Sequence, residues 1–296
     1  MSAIAGFIVR GQGQAALVAA STLTLSLVFP PIVWLSNAAV ALFVMRFGFK
    51  ASAPMLAIAV IGSAALFWAI SAHPALSVIS AAVFWGPVII AAVLLRSTES
   101  LELAILSIVG VALGAVLATF VVAGDPTAFW QELLTSQPVL QELMAQSGGK
   151  AGEQLLQSFA KLATGLMATG ILLNSAFGLF LGRHWQAKLF QPGGFKQAFE
   201  SLRLGKSVIT AALLLCGLGL MTGSSFGFAL AMPVIFLLGI QGMAVVHGVA
   251  TIRKVPKLVL VMVYLALLVP HTLALVCVVA LVDAWFDLRA VAARKA

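Results

Sequence analysis

The chain has 296 residues, 62% of them hydrophobic and only 9% charged, with a mean hydropathy of +1.12. A soluble chain is about a quarter charged, so this composition excludes a water-soluble globular domain and points to an all-α, polytopic transmembrane helical bundle. A net charge of +8 would indicate nucleic acid in a soluble protein; in a membrane protein it indicates cationic side chains gathered on the cytoplasmic side, and no nucleic-acid partner is expected.

The opening stretch, "MSAIAGFIVRGQGQ", carries one charged side chain and no small-residue cleavage site, and reads as mature sequence. The uncharged run 15–45 follows, with Pro30 and Pro31 at its middle. As one helix it would be about 46 Å long, against a hydrocarbon core of roughly 30 Å. Two full spans would need roughly 40 residues, which the run does not have. A hairpin of two short helices turning at the prolines fits the length. Apolar spans are then expected at 51–72, 75–95, 102–122, 162–181, 207–222 and 228–249. The last run, 258–284, has Pro270 near its middle and fits a second hairpin turning at Pro270-His271, or one kinked helix.

Charge orients the spans. With both termini cytoplasmic and a hairpin at each end, all of the 17 basic residues except Lys150 and Lys161 lie inside. The expected architecture is a single integral membrane domain over 1–296 with about 8–10 membrane helices. An extracytoplasmic amphipathic loop is expected at 124–160 and a cytoplasmic basic loop at 183–206.

The first loop offers two helix starts, Asp125-Pro126 and Ser136 with Pro138. Phe129, Trp130, Leu133 and Leu134 recur at helical spacing, as do Val139, Leu140, Leu143 and Met144, before Gly148-Gly149. Two short amphipathic helices are expected there, as a lid or as interfacial packing. The second loop interleaves basic residues with Trp185, Phe190, Phe195 and Phe199, which suits an interfacial helix against anionic membrane lipids.

Chemistry is sparse. Cys216 and Cys277 sit in apolar runs with no neighbour at metal-ligand spacing, so no metal and no disulfide is expected. No phosphate loop, nucleophile triad or cofactor ligand pair is legible, and no catalytic or cofactor-binding residue is assigned. The polar candidates for binding are Asn37, Asn174, Gln241 and His247, with Glu99 and Glu102 at one helix entrance. Gln241 and His247 are six apart, turned about 120° from one another on a helix, and share no face. Asp283 and Asp287 are four apart, on one face, and repel unless cations intervene. Arg253, Lys254 or Lys257 on the neighbouring loop is the expected partner in a structural ion pair. Gly110 and Gly114 form a small-xxx-small motif suited to a helix contact.

The stretches "LSLVFPPIVWLSNAAVALFVMRFG", "LLNSAFGLFLGRHW", "LGIQGMAVVHG" and "LVDAWFDLR" together resemble the YybS-like family of bacterial inner-membrane proteins. That family has no assigned function and is often encoded near ribosomal-protein genes. It is distantly similar in architecture to the substrate-binding subunits of energy-coupling-factor transporters. The resemblance implies a multi-pass inner-membrane location and supplies no catalytic residue. Those subunits dock their partner through small residues at every fourth position. Here Ala15 and Ala19, or Ala16 and Ala20, begin such a row, which stops at Leu23 or Thr24.

The expected function is non-enzymatic: binding or moving a small, largely apolar or uncharged solute within a larger assembly. The alternative is a membrane scaffold or biogenesis factor whose basic loop and C-terminus recruit protein partners. A lipid-modifying enzyme using Asp283 and Asp287 is a third reading.

Overall fold

In the computed structural model, residues 2–70, 73–138, 142 and 150–294 are described, and among them the chain is helical with no strand. Among the described residues, six helical segments are long and apolar enough to cross a membrane: Pro30–Phe47, Phe49–Ala69, Pro74–Thr98, Leu101–Ala123, Ala151–Phe190 and Ser225–Ile252. The chain is therefore a multi-pass, all-α membrane protein. It divides into two compact units, Met1–Ile108 with Ile171–Leu202, and Val109–Gly170 with Arg203–Ala296.

The first unit opens with α1 (Ser2–Ile8) and α2 (Gln12–Leu25). At Pro30–Ile32 the chain makes one 3₁₀ turn, and α3 (Val33–Phe47) folds back onto α2. The Ser36 hydroxyl donates to the Ala19 carbonyl at 2.7 Å, across the pair. The expected break at the prolines is present: the pyrrolidine rings deny the chain two backbone donors and block helix continuation from α2. Helices α4 (Phe49–Ala69) and α5 (Pro74–Thr98) complete the layer, α4 against α2 and α5 against α3.

Helix α3 is the core of this unit. From Ser36 to Met45 its side chains are buried all round, as expected for a helix with no polar face. The trailing part of α8 (Lys150–Phe190) crosses it through Gly178 and Gly182. A Cβ at Gly178 would run into Asn37, and one at Gly182 would meet the Ala38 carbonyl at 3.0 Å. Only glycine permits this approach. The short α9 (Gly194–Glu200) follows the break at Gln191, and Phe195 and Phe199 pack against Phe180 of α8. Two of the four aromatic side chains of the basic loop, Phe195 and Phe199, thus bury ring area against Phe180, while Phe190 is exposed.

The second unit begins in α6 (Leu101–Ala123), whose residues up to Ile108 belong to the first. Helix α7 (Thr127–Thr135) is the first of the two expected loop helices. Asp125 accepts from the Thr127 amide at 3.0 Å and hydroxyl at 2.6 Å, a cap set one residue before the N-cap position, Pro126. Those Thr127 bonds hold the Asp125 carboxyl below the usual carboxylate range. Trp130 Nε1 donates to Thr164 Oγ1 at 2.8 Å, tying α7 to α8. The second expected helix, through Val139, Leu140, Leu143 and Met144, and the stop at Gly148-Gly149 lie outside the described residues.

Two loop boundaries differ from expectation. Residues 150–160 are already helical, and 183–190 continue the same helix, which runs 41 residues. Hydropathy falls at Glu153, Gln154, Gln157 and Lys161, and again at Arg183, but these are all good helix formers, so the backbone carries on where the apolar run stops.

Helix α11 (Ser225–Ile252) is the axis of the second unit, with α10 (Lys206–Thr222) and α13 (Pro270–Phe286) packed on it. The last apolar run is broken: α12 (Lys257–Ala266) and α13 are bent by 119°. Proline at the first turn of α13 ends any continuation from α12. The chain closes with α14 (Leu288–Arg294).

Gly110 and Gly114 make no helix contact among the described residues: no heavy atom lies within 4 Å of a Cβ built at either. Both face outward from α6. Close crossings use Gly178 and Gly182 and, in the second unit, Gly219 against Gly227 and Gly242, where a Cβ would strike the Val276 carbonyl of α13.

Candidate functional site

The polar residues singled out from sequence are helix clamps. Asn37 Nδ2 donates to the Asn174 main-chain oxygen at 3.1 Å, and Asn174 Oδ1 accepts from Trp34 Nε1 at 2.9 Å, so the two asparagines join α3 to α8. Gln241 is 2% exposed, and its Oε1 accepts from the Leu204 amide at 3.2 Å, fixing the segment that leads into α10. His247 Nε2 shares a hydrogen bond with the Tyr264 hydroxyl at 2.8 Å, joining α11 to α12. Gln241 and His247 bind different elements, as their 120° separation requires.

The acidic pair is paired otherwise than expected. Asp283 Oδ2 accepts from Arg289 Nη2 at 2.8 Å, and Asp287 accepts from Arg203 Nη2. Arg253, Lys254 or Lys257 was the expected partner; the carboxylates have Arg289 and Arg203 instead. On one continuous helix, positions six apart diverge by about 120°. Asp287 ends α13 in the left-handed conformation, φ 46°, and this turn swings Arg289 back onto Asp283. The Arg203 hydrogen bond holds the Asp287 carboxyl below its ordinary range.

Sequence reasoning missed a strongly polar pocket in the first unit. It encloses about 480 Å³ and is lined by Arg46, Arg96 and Arg183, with Glu99, Gln186 and Gln191. Three guanidinium charges less one carboxylate leave two net positive charges.

Each arginine is held by its helix end. Arg46 stands in the last turn of α3, its guanidinium 4.3 Å from the centroid of the Phe190 ring. Arg96, in the last turn of α5, donates through Nη1 to the Met45 and Arg46 carbonyls at 2.7 and 2.6 Å. Those are C-terminal carbonyls of α3 that lack helical partners, where a cation is favoured. The chain turns at Gly48 with φ 85°, and a Cβ there would meet Arg96 Nε at 3.4 Å. Arg183 donates to Gln186 Oε1 at 2.8 Å and to Gln191 Oε1 at 3.4 Å. Glu99 ends α5 in the left-handed region at φ 55°, uncommon for a residue with a side chain.

A guanidinium has five N–H donors, and these contacts use only some of them. The pocket can therefore hold an anion through several charge-assisted hydrogen bonds at once. One signal in the sequence pointed here. Where "MRFG", "LLRSTE" and "LGRHW" end apolar runs, the basic residue is arginine, not lysine, and arginine is the residue suited to planar, forked recognition.

A second cavity of about 440 Å³ lies in the second unit among α11, α12, α13 and α14. Its walls are apolar, with Val245, Val249, Val259 and Leu260, and Arg253 supplies the charge at its border. No family model matches the chain, and neither a curated protein nor a solved structure matches it.

Proposed function

We propose that this chain is a non-enzymatic, multi-pass protein of a bacterial inner membrane that binds a small anionic solute, on the cytoplasmic side and within a larger assembly. The observation that carries this reading is the convergence of Arg46, Arg96 and Arg183 on one pocket with a single carboxylate. Scarce charge along the spans favours an uncharged solute within the bilayer, but the pocket lies at helix ends and its chemistry selects an anion. Guanidinium groups stay protonated at any physiological pH, which suits holding charge and not transferring protons. The cationic side chains also favour a cytoplasmic location for this end of the helices. The resemblance to the YybS-like family, and through it to substrate-binding transporter subunits, supports solute binding as well.

Thermal unfolding of the full chain in detergent, in sulfate and in chloride at equal ionic strength, tests the reading. Sulfate is expected to raise the midpoint for the native chain, by mass action on the folded state. The rise is expected to vanish in Arg46→Gln and Arg183→Gln. Sulfate also stabilises proteins by exclusion from their surface, which the variants would retain in full. Equal shifts in native and variant chains would therefore refute anion binding at this pocket and leave the scaffold reading in its place.

A further inference from the structure

We propose that the arginine-lined pocket takes the phosphate group of a small phosphate monoester, with Arg46, Arg96 and Arg183 on its oxygens and Glu99 limiting the site to one such group. This assignment rests on the anion-binding reading above and narrows it to a ligand class. Charge is the first ground. The lining leaves two net positive charges, and a phosphate monoester carries close to two negative charges at neutral pH, whereas a carboxylate or a phosphodiester carries one.

Geometry is the second ground. Arg46, Arg96 and Arg183 come from three different helices, α3, α5 and α8, and each is fastened by a ring, by backbone carbonyls or by glutamine amides. Fastened guanidinium groups from three helices suit a tetrahedral group with three terminal oxygens better than a planar carboxylate, which one or two forks satisfy. Size is the third. A volume of about 480 Å³ falls within the roughly 300–1,000 Å³ typical of small-molecule sites, and exceeds what inorganic phosphate alone would fill. Gln186 and Gln191 supply amide groups for hydroxyls on the rest of such a molecule. Glu99, fixed at the end of α5, opposes a second phosphate by like-charge repulsion, so bisphosphates are disfavoured.

The phosphate monoester group can come from a soluble metabolite or from a lipid headgroup such as phosphatidic acid, because Arg46 and Arg96 stand in the last turns of apolar helices, where headgroups lie. The full chain in phosphatidylcholine nanodiscs, titrated calorimetrically with glycerol 3-phosphate and with lactate, tests the class. Glycerol 3-phosphate is expected to bind at least about tenfold more tightly than lactate. Arg183→Gln is expected to lose about tenfold for the phosphate ester and Arg183→Lys, which keeps the charge and removes the fork, several-fold. Glu99→Gln is expected to tighten binding and to admit glycerol bisphosphate analogues. Repeating the titration with phosphatidic acid in the nanodiscs identifies the source: suppressed binding indicates the headgroup, unchanged binding a soluble ester. Equal binding of lactate and glycerol 3-phosphate, with both lost in Arg183→Gln, would overturn the phosphate class and leave anion binding intact. Binding of neither, with no sulfate effect on unfolding, would overturn both.

Discussion

Asp283 and Arg289 face one another at 2.8 Å, with side chains 2% and 8% exposed, although they stand six residues apart across the end of a helix. The left-handed turn at Asp287 makes this possible, and the pair in turn fixes α14 against α13 and α11. Taking one charge from a buried pair strands the other. Asp283→Asn and Arg289→Met are each expected to destabilise the chain by about 3–5 kcal/mol. The double replacement Asp283→Leu with Arg289→Met is expected to be far milder than either single change. Thermal unfolding of the three purified variants checks this.

Asp287 and Arg203 form a second, exposed pair, with side chains 40% and 51% accessible. Asp287→Asn keeps a residue that tolerates the left-handed conformation and removes only the charge. At pH 7 the loss is expected to be below about 1 kcal/mol. Because the folded carboxyl titrates below its ordinary value of 3.8, its contribution is complete above that value and disappears as pH falls through the lower one. Stability curves of native and variant chains should therefore converge below pH 3.8 and run parallel above it.

Gly178 sits where α8 crosses α3 on Asn37, whereas a Cβ at Gly110 or Gly114 would meet no other helix within 4 Å among the described residues. Gly178→Ala is expected to cost about 1–3 kcal/mol, because the two backbones must separate. Gly110→Ala and Gly114→Ala are each expected to be neutral or stabilising, by up to about 1 kcal/mol from helix propensity. Resistance to thermal unfolding in detergent separates the two outcomes.

Gln241 serves the Leu204 amide in a buried setting. Gln241→Met, of similar volume, leaves that donor without its acceptor, at an expected cost of about 1–3 kcal/mol. The sulfate response of unfolding should be unchanged, since Gln241 is not among the residues lining the arginine pocket.

Much of this architecture could be read from the chain. Pro30-Pro31 and Pro270 act through their own rings, so the breaks in both terminal runs were visible locally. Span ends were legible where Gly, Pro or Ser closed them, and missed at 150–190, where polar residues of high helix propensity follow apolar ones without a breaker. The site was hidden for another reason. Arg96 reaches carbonyls some 50 positions earlier, so its role depends on which helix end packs beside it, which no local pattern encodes. Counted as basic residues, the three arginines signal only sidedness; that each is an arginine and not a lysine is the one local hint of the site. Similarly, the Asn37 and Gln241 side chains were recognisable as intramembrane polar groups, but their partners on α8 and before α10 are fixed by tertiary packing.

The most direct test asks whether the arginine pocket is an open anion site on the cytoplasmic face. Gln191 lines it from the break after α8 and is exposed. In a chain with Cys216 and Cys277 replaced by alanine, Gln191→Cys can be labelled with a membrane-impermeant maleimide in inside-out and right-side-out vesicles. Labelling from the cytoplasmic face alone, slowed several-fold by glycerol 3-phosphate or by phosphatidic acid in the membrane, is the expected result. Labelling from the opposite face, or a rate indifferent to both phosphate esters, would contradict it.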